Sequence, residues 1–595
     1  MKSIYKKRID LLRGLMANDG ISAAIIPQTD PHQSEYIADH WQVRRWLSGF
    51  TGSAGTLVIT SDKALLWTDS RYFIQATEQL DGTDIILMKD GLSDTPSISK
   101  YLATTLSNNS IVGYDGMLFS VNEANNLDSE LLAHNINSNR QWDRINEIWE
   151  DRPSLPKHKI IVHEEKYAGQ SANNKIKTIL TNAESQGANA VFISALDEIA
   201  WTLNIRSRDV NCNPVATSFL YLSSENSTLF IDEDKLTTEN IEYLNNCNVK
   251  TAPYNSISNF LSALSSDKKV LIDTPRTACA IKSILNDKYI LGHSPVTLPK
   301  GCKNGTQIAG TRNAMIKDGV ALVKLFMEIE RRLSAGEPIS EIEVGTLASK
   351  YRSEQDLYFD DSFDTIAGYN AHGAIVHYSA TEESNTQLQP NGMLLIDSGA
   401  QYLDGTTDIT RTISLGSPTP QQKRDFTLVM KGHIALGSAI FPADTRGAQL
   451  DALARQYLWK NGLSYLHGTG HGVGHFLNVH EGPQSIRLNE NPTTLMPGMI
   501  TSNEPGVYRE GEYGIRCENL VLTIPAFTTE FGEFLKFETL TLFPFDLNLF
   551  DTSIMSDEEI KWINDYHIMV RERLTPHLDE NQAAWLTKKT AELTR

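Results

Sequence analysis

The sequence predicts a mixed α/β (α+β) chain in which two related N-terminal α/β domains precede a larger C-terminal domain. Helix and strand patterns alternate through the first half of the chain, and the same succession of patterns occurs twice there. From about residue 393, short apolar strands separated by glycine-containing turns dominate. We place the three domains at residues 1–155, 156–305 and 306–595.

The first domain opens with an amphipathic helix, because apolar residues recur at helical spacing between Ile9 and Met16. Short apolar runs bounded by turn residues then predict strands at 23–26, 55–59, 64–67, 85–88 and 110–113. Pro153 and Pro156 mark the linker that ends this domain.

The second domain repeats the plan of the first. A helix around 175–186 leads to a strand at 190–193, and two further strands at 218–222 and 227–231 flank a turn rich in Ser and Asn. Both domains therefore run helix, strand, polar loop and hairpin, which indicates an internal duplication.

The third domain begins with a long helical run from Thr311 to Leu333 and ends with a helical tail rich in Trp, Leu and Glu. Between them lie the short strands. The stretch Leu540–Phe550 is strongly apolar, and either the core or a dimer interface accounts for that composition.

Composition excludes several classes of partner. The net charge of −19 argues against nucleic acid and against an anionic membrane, since both attract basic surfaces. No apolar run reaches the roughly 18 residues of a membrane-spanning helix. The cysteine count is odd, at five, and no pair has CxxC spacing, so we expect reduced thiols and a cytoplasmic location.

Two aspartates in the third domain are candidate metal ligands. Asp397 interrupts the apolar run 394–399, and Asp408 follows it by 11 positions, after the turn-forming pair Asp404-Gly405. A hairpin between them can bring both carboxylates onto one face. Two carboxylates that share a buried site repel one another unless a cation lies between them.

A second pair of acids has the same design. Glu504 and Glu518 lie 14 positions apart, each within an apolar stretch, with a turn-rich segment between them. His471, in the glycine-rich stretch 467–475, can add a neutral imidazole.

Taken singly, such an Asp is typical of a strand end near solvent and such a Gly-His run is typical of a loop. Burying all five groups unpaired, however, costs several kcal/mol each. The set therefore predicts two divalent metal ions, with a bridging hydroxide as nucleophile. Oxygen-rich ligation favours Mn²⁺, and Zn²⁺ or Co²⁺ also fit.

The motifs around these residues resemble those of the pita-bread metallopeptidases. The resemblance is carried by 395–402, 404–411, 467–474 and 503–506. In the first domain, 30–36 and 48–55 are similar to the long, three-domain cytosolic form of Xaa-Pro aminopeptidases, as is 562–567 in the tail. The resemblance implies creatinase-like N-terminal domains, a pita-bread catalytic domain and a homodimer.

The resemblance also implies a role for each site residue. The metal ligands are Asp397, Asp408, His471, Glu504 and Glu518, of which Asp408 and Glu518 bridge both ions. It further implies that His377, His467 and His480 line the substrate site. The expected reaction removes any N-terminal residue that precedes proline in a short peptide.

We assign mechanistic roles within that site. Glu504 is expected to shuttle a proton to the leaving proline nitrogen, and His377 or His480 to stabilise the oxyanion. His467 orders the surrounding layer. Arg516 either neutralises a nearby acid beside the substrate or is an ordinary strand residue on the surface.

Two other functions remain open at this point. A prolidase, which cleaves Xaa-Pro dipeptides, uses the same ligands, although the chain length and the duplicated N-terminal half favour the aminopeptidase. A pita-bread domain that only binds peptides or proteins is the other alternative. The basic and aromatic stretch Arg44-Arg45-Trp46 predicts a surface patch that can contact a peptide.

Overall fold

Two six-stranded sheets with the same topology build the N-terminal half of the part of the chain described by the computed structural model, residues 3–595. In order of sequence, the first sheet contains β1 (Ala23–Pro27), β2 (Thr56–Thr60), β3 (Ala64–Thr68), β4 (Ile85–Lys89), β5 (Ile111–Gly113) and β6 (Asn137–Asn139). Its spatial order is β4-β3-β2-β1-β5-β6. The helices of this region are α1 (Ser3–Asp19), α2 (Val43–Ser48), α3 (Phe73–Leu80), α4 (Ile98–Thr105) and α5 (Val121–Leu132).

The second sheet repeats this arrangement. It contains β8 (Ala190–Ile193), β10 (Ser218–Ser223), β11 (Ser227–Ile231), β12 (Val249–Ala252), β13 (Val270–Asp273) and β14 (Tyr289–Gly292), while β7 (Ile161–Val162) pairs with β9 (Ile205–Arg206). The order β12-β11-β10-β8-β13-β14 matches that of the first sheet strand for strand, and so do the parallel and antiparallel pairings. The helices here are α6 (Glu165–Ala168), α7 (Ala172–Ser185), α8 (Leu196–Leu203), α9 (Thr238–Asn246), α10 (Ile257–Ser262) and α11 (Cys279–Leu285). The repeated plan that the sequence predicts is confirmed.

The C-terminal region combines long helices with short strands. Its helices are α12 (Thr297–Gly301), α13 (Gly305–Ala335), α14 (Glu341–Ser353), α15 (Pro420–Gly437), α16 (Gly447–Trp459), α17 (Asp557–Leu574) and α18 (Glu580–Lys589). Helix α13 begins six residues before the predicted Thr311. Asn304 and Gln307 form a capping box there, in which each side chain accepts a hydrogen bond from the other residue's backbone N–H.

Small sheets and one larger sheet carry the strands of this region. The small sheets contain β15 (Tyr358–Asp361), β18 (Ala400–Tyr402) and β19 (Gly405–Thr406), then β16 (Ile366–Tyr369), β17 (Met393–Ser398) and β20 (Ile409–Ser414), and lastly the hairpin of β25 (Gly506–Arg509) and β26 (Tyr513–Arg516). The larger sheet has the order β21-β28-β27-β24-β22-β23. Its strands are β21 (Ile440–Pro442), β22 (Gly470–Gly472), β23 (Glu481–Ile486), β24 (Ile500–Asn503), β27 (Asn519–Thr529) and β28 (Gly532–Thr539).

Contacts divide the chain into two compact units. One contains the chain up to His163 together with Gln170–Val296, and the other contains Glu164–Gly169 together with Thr297–Arg595. The boundaries at 155 and 305 stay predictions. Within residues 3–595, no helix combines the length and the apolar character needed to cross a membrane.

The apolar stretch Leu540–Phe550 belongs to the core of the second unit. Leu542, Phe543 and Phe545 are buried there, and Phe543 packs against Phe326 of α13 with ring centroids 4.6 Å apart. Of the two explanations for its composition, the structure therefore favours the core.

The predicted surface patch at Arg44–Trp46 is wrong for Arg44, whose side chain is fully buried. Its Nε donates to Oε1 of Gln28 over 2.9 Å, and the guanidinium lies 4.6 Å from the centre of the Phe50 ring. Burial lowers the pKa of Arg44 to about 9. Arg44 thus stabilises its own domain and presents no charge to a peptide, whereas Arg45 is exposed.

Candidate metal centre

The first pair of acids is brought together by an antiparallel strand pair. Asp397 lies in β17 opposite Thr410 of β20, and Asp408 lies directly before β20. The strands β18 and β19 form the excursion between them. Both carboxylates are buried, at 8% and 4% residue exposure for Asp397 and Asp408, so the predicted hairpin places both acids away from solvent.

The second pair is held in the same way by the larger sheet. Asn503 at the end of β24 pairs with Asn519 at the start of β27. Glu504 therefore directly follows β24, and Glu518 directly precedes the neighbouring strand β27. The hairpin β25–β26 is inserted between them. The expectation that each acid interrupts a strand holds for Asp397 alone of these four acids. The other three flank strands, where the ladder ends and a side chain can turn into the site.

His471 enters from β22, the neighbour of β24, through the pairing of Gly472 with Thr501. The glycines permit a close strand approach: a side chain at Gly470 would collide with the carbonyl oxygen of Ser502. The backbone N–H of Glu518 also donates to the carbonyl of Thr410 over 3.1 Å, which joins the two strand systems that carry the acids.

The donor atoms converge on one point. One ligand atom from each of Asp408, His471 and Glu518 lies within 4.8 Å of the others. Nε2 of His471 lies 3.4 Å from Oδ2 of Asp408 and 3.5 Å from Oε1 of Glu504. Nδ1 of His471 donates to the carbonyl of Gly472 over 3.0 Å, which leaves Nε2 directed at the acids.

Burial and the closeness of the carboxylates shift the pKa values of this cluster. Burial, together with neighbouring acids, raises the pKa of Asp397, raises that of Glu504 to about 7 and raises that of Glu518 well above its usual range. Burial opposes charge on His471 as well, yet the hydrogen bond with Asp408 and the charge of Glu504 raise its pKa to about 9. So many like charges in one buried site call for cations.

The residues fit divalent metal ions. Oδ1 of Asp397 is buried and has no hydrogen-bond partner among residues 3–595, as expected of an oxygen reserved for a cation. The donor set is four carboxylates and one imidazole, which are the groups that Mn²⁺ and related ions accept.

Arg516 provides positive charge inside the cluster. It is 2% exposed, its Nη2 donates to Oδ2 of Asp397 over 2.6 Å, and its Nε donates to Oγ1 of Thr410 over 3.2 Å. The alternative of an ordinary surface arginine is therefore wrong. Nη1 donates to Oη of Tyr508 over 2.9 Å. All three nitrogens of the guanidinium therefore donate hydrogen bonds within the chain.

His467 lies one layer further out, behind Tyr508. Its Nδ1 faces the carbonyl of Gly468 at 2.7 Å and its Nε2 faces Oη of Tyr508 at 2.8 Å. Because a carbonyl only accepts, Nδ1 carries a hydrogen, and in the neutral ring Nε2 accepts from the phenol. Both nitrogens are thus engaged within the chain, which suits a residue that orients others.

The remaining predicted histidines border the cluster. The His480 ring packs edge-on against the His471 ring, with centroids 4.3 Å apart. His377 is half-buried, and the carbonyl of the preceding Val376 accepts from Nη2 of Arg516 over 3.3 Å. The segment that carries His377 therefore reaches the residue that neutralises Asp397.

Sequence reasoning missed Tyr508 and Thr410. Oγ1 of Thr410 donates to Oε2 of Glu518 over 2.9 Å, and Tyr508 connects Arg516 with His467. Position gave a signal for each, since Thr410 follows Asp408 by two residues and Tyr508 follows Glu504 by four. Chemistry gave none, because neither side chain is a usual metal ligand.

Comparison with known families matches almost the whole chain. The family model described as metallopeptidase family M24 matches residues 309–524, and the C-terminal region of peptidase M24 matches 533–593. Two models of the Creatinase/Prolidase N-terminal domain match residues 8–146 and 151–307. The two sheets with equal topology thus correspond to two matches of the same kind.

Individual relatives extend this likeness. The chain is 40% identical to aminopeptidase P2 of Arabidopsis thaliana, in an alignment that covers 100% of this chain and 89% of the relative. It is also 40% identical to a probable Xaa-Pro aminopeptidase P of Laccaria bicolor, covering 99% and 93%. The crystal structure of X-prolyl aminopeptidase from Caenorhabditis elegans, described as a cytosolic enzyme with a di-nuclear active site, superposes with a TM-score of 0.95 at 35% identity, covering 99% of each chain.

Proposed function

The chain belongs to the Xaa-Pro aminopeptidases of metallopeptidase family M24 and is a metal-dependent aminopeptidase, and on this premise we propose that its substrates are short peptides with proline at the second position. The names of the relatives support this substrate class. The metal-dependent part of the proposal is carried by the convergence of Asp408, His471 and Glu518, with Asp397 and Glu504 as further acids of the same cluster.

In this proposal Asp397, Asp408, His471, Glu504 and Glu518 would hold the two metal ions. The di-nuclear site of the nematode relative supports the number of ions, and the oxygen-rich donor set supports Mn²⁺. When bound, the ions polarise the scissile carbonyl and lower the pKa of the attacking water.

Glu504 is proposed to move the proton. Its carboxylate lies 3.5 Å from Nε2 of His471, among the other proposed ligands, where it would accept the proton of the attacking water and pass it to the departing proline nitrogen. His480, beside His471, and His377, which follows the Val376 carbonyl bonded to Arg516, are proposed to donate to the developing oxyanion. His467 and Arg516 keep the roles that their contacts support, in which they fix Tyr508 and Asp397.

A bond that precedes proline has no N–H on the leaving nitrogen. A site that requires an N–H there loses a contact with such a peptide, whereas a site shaped to the ring does not. We therefore assign the selectivity to the groups around the second residue of the peptide, for which His377 and His480 are the candidates.

Location and assembly are part of the proposal. The nematode relative is described as cytosolic, and the five cysteines form no disulfide in the part of the chain that the structure describes; both support a cytoplasmic enzyme. The homodimer implied by the resemblance is tested by the native mass of the purified protein, because a stable monomer contradicts it.

Peptide length distinguishes the aminopeptidase from the prolidase alternative. Metal-free protein is given Mn²⁺, Zn²⁺ or Co²⁺ in turn and assayed with an Arg-Pro-Pro peptide and with the dipeptide Ala-Pro. We expect release of the first residue from the longer peptide, fastest with Mn²⁺. Cleavage of the dipeptide alone contradicts the proposal.

Two variants establish whether the assigned site performs this reaction. Asp408→Ala is expected to keep the native circular dichroism spectrum, to bind less than two equivalents of metal and to lose turnover. Glu510→Ala changes an exposed acid on the adjacent hairpin and serves as the matched control. Retained activity in Asp408→Ala refutes the ligand assignment.

A further inference from the structure

His377 lies in a long connection between strands. After β16 ends at Tyr369, the chain runs through residues 370–392 before β17 begins at Met393. This connection has little regular structure beyond a single 3₁₀ turn at Asn370–Ala374. An imidazole on such a segment contacts a substrate productively only if other groups fix the segment.

A buried carboxylate fixes it. The side chain of Glu341, on the first residue of α14, is 0% exposed. It accepts hydrogen bonds from the backbone N–H of Tyr369 (2.8 Å) and of Thr386 (3.0 Å), and from Oη of Tyr378 (2.9 Å). Nδ1 of His372 lies 2.9 Å from the same carboxylate. The partners lie before, within and after the stretch that contains His377.

Helix capping does not explain this carboxylate. The first turn of α14 already has a capping box, in which Ser340 accepts from the backbone of Glu343 and Glu343 accepts from the backbone of Ser340. Glu341 is left to serve the connection. A carboxylate acceptor forms stronger hydrogen bonds than a neutral acceptor does.

The opposite side of the connection packs on the hairpin that carries Arg516. Gly373 lies so close to Gly514 of β26 that no side chain fits between their backbones. Two residues further along that hairpin, Nη2 of Arg516 reaches the carbonyl of Val376. The residues on either side of His377 are thus held by two groups: Tyr378 donates to the Glu341 carboxylate, and the carbonyl of Val376 accepts from Arg516.

We propose that Glu341 is a positioning residue, which sets the orientation of His377 at the proposed metal centre by holding the segment 369–386 at Tyr369, Tyr378 and Thr386. The inference rests on the substrate-contacting role proposed above for His377. It adds a residue that touches neither metal nor peptide and that acts only through the imidazole.

The test is a double-mutant cycle between Glu341→Gln and His377→Ala, with Glu343→Gln as the matched control on the same helical turn. Glutamine keeps the size of the side chain but removes its charge and one acceptor oxygen. We expect Glu341→Gln to lower kcat about 10- to 100-fold with unchanged metal content, and Glu343→Gln to leave kcat unchanged. In the His377→Ala background, Glu341→Gln should lower kcat by less than about threefold.

The outcomes are distinct. Full activity of His377→Ala contradicts the proposed role of that histidine and the inference with it. A large loss in His377→Ala, followed by an undiminished further loss from Glu341→Gln, contradicts the inference alone. Tyr378→Phe removes a single donor to the carboxylate and replaces Glu341→Gln in the cycle if the latter does not fold, with the same expectation of non-additivity.

Discussion

At the scale of single residues, the proposed metal centre is dominated by charged groups that lie close together in a largely buried site. Asp397 is held against Arg516, and burial strengthens both their attraction and the cost of separating them. Burial raises the pKa of Glu504, whereas the hydrogen bond with Asp408 and the charge of Glu504 raise the pKa of His471 against the effect of burial. Their protonation is therefore coupled to the binding of cations.

Metal affinity should rise with pH. Divalent ions displace protons from His471, with a pKa of about 9, and from Glu504, with a pKa of about 7. Below pH 7 both protons must be displaced, whereas above pH 9 neither is present. Calorimetric titration of metal-free protein with Mn²⁺ between pH 6 and 9, in buffers of different ionisation enthalpy, should show proton release that declines with pH.

The stability of the metal-free protein should change in the opposite direction. Both folded pKa values lie above the unfolded ones, so the folded state binds more protons and loses stability as pH rises from about 4.5 to about 9. Thermal unfolding of protein treated with EDTA measures this trend. An unfolding temperature that rises over the same range contradicts these assignments.

At the scale of elements, the centre depends on how closely neighbouring strands approach. The sequence pattern 467–475, with alternating glycines, predicts that a backbone passes near another group, and in the structure that group is the carbonyl of Ser502 on β24. His471 is thereby placed opposite the ends of β24 and β27, where Glu504 and Glu518 lie.

Gly470→Ala should displace β22. The added methyl group meets the Ser502 carbonyl, which is part of a strand and cannot move away, so overpacking is expected to cost about 1–3 kcal/mol and to weaken metal binding. Gly468→Ala is the control, because the nearest atom to an added methyl group there is 3.6 Å away. Metal content after dialysis and the unfolding temperature distinguish the two variants; equal behaviour of both contradicts the packing argument.

At the scale of the whole molecule, the C-terminal helices belong to the architecture of the site. Arg411 follows Thr410 on β20, and its guanidinium donates to the backbone carbonyls of Glu518 and Phe543. Nη2 of Arg411 also donates to Oη of Tyr566, on α17, over 2.9 Å. The hydrogen bond between Arg411 and Tyr566, which lie more than 150 positions apart in sequence, thus supports the chain at Glu518, directly before β27.

Tyr566→Phe should lower the stability of the C-terminal unit. The hydroxyl also bonds to the carbonyl of Phe543 over 2.9 Å, and its loss leaves buried polar groups unpaired at a cost of about 1–3 kcal/mol. We expect a lower unfolding temperature and, because Glu518 is less firmly held, weaker Mn²⁺ binding. Trp585 lies on α18 of the same tail, and its indole N–H donates to Glu330 of α13. Trp585→Phe removes this hydrogen bond and should leave Mn²⁺ binding unchanged.

Much of this organisation follows from the sequence alone. Periodicity predicted five strands of the first sheet and three of the second, because burial imposes a spacing on apolar residues, whereas β6, β12, β13 and β14 were not predicted. The five metal-ligand candidates stood out because acids and imidazole are rare in apolar or glycine-rich strands. Arg516 stayed undecided at that level, since a strand arginine is charged whether it faces solvent or a carboxylate.

The sequence by itself determined which residue types make up the candidate site, since that property is encoded along the chain. The tertiary structure decided that Asp397 lies within a strand, whereas Asp408, Glu504 and Glu518 flank strands. Only the tertiary structure decided that Arg516 reaches Asp397, 119 positions away, that both nitrogens of His467 are occupied, and that Glu341 holds the His377 segment. These contacts arise when elements distant in sequence pack together. Their geometry depends on the whole fold, and no local pattern specifies it.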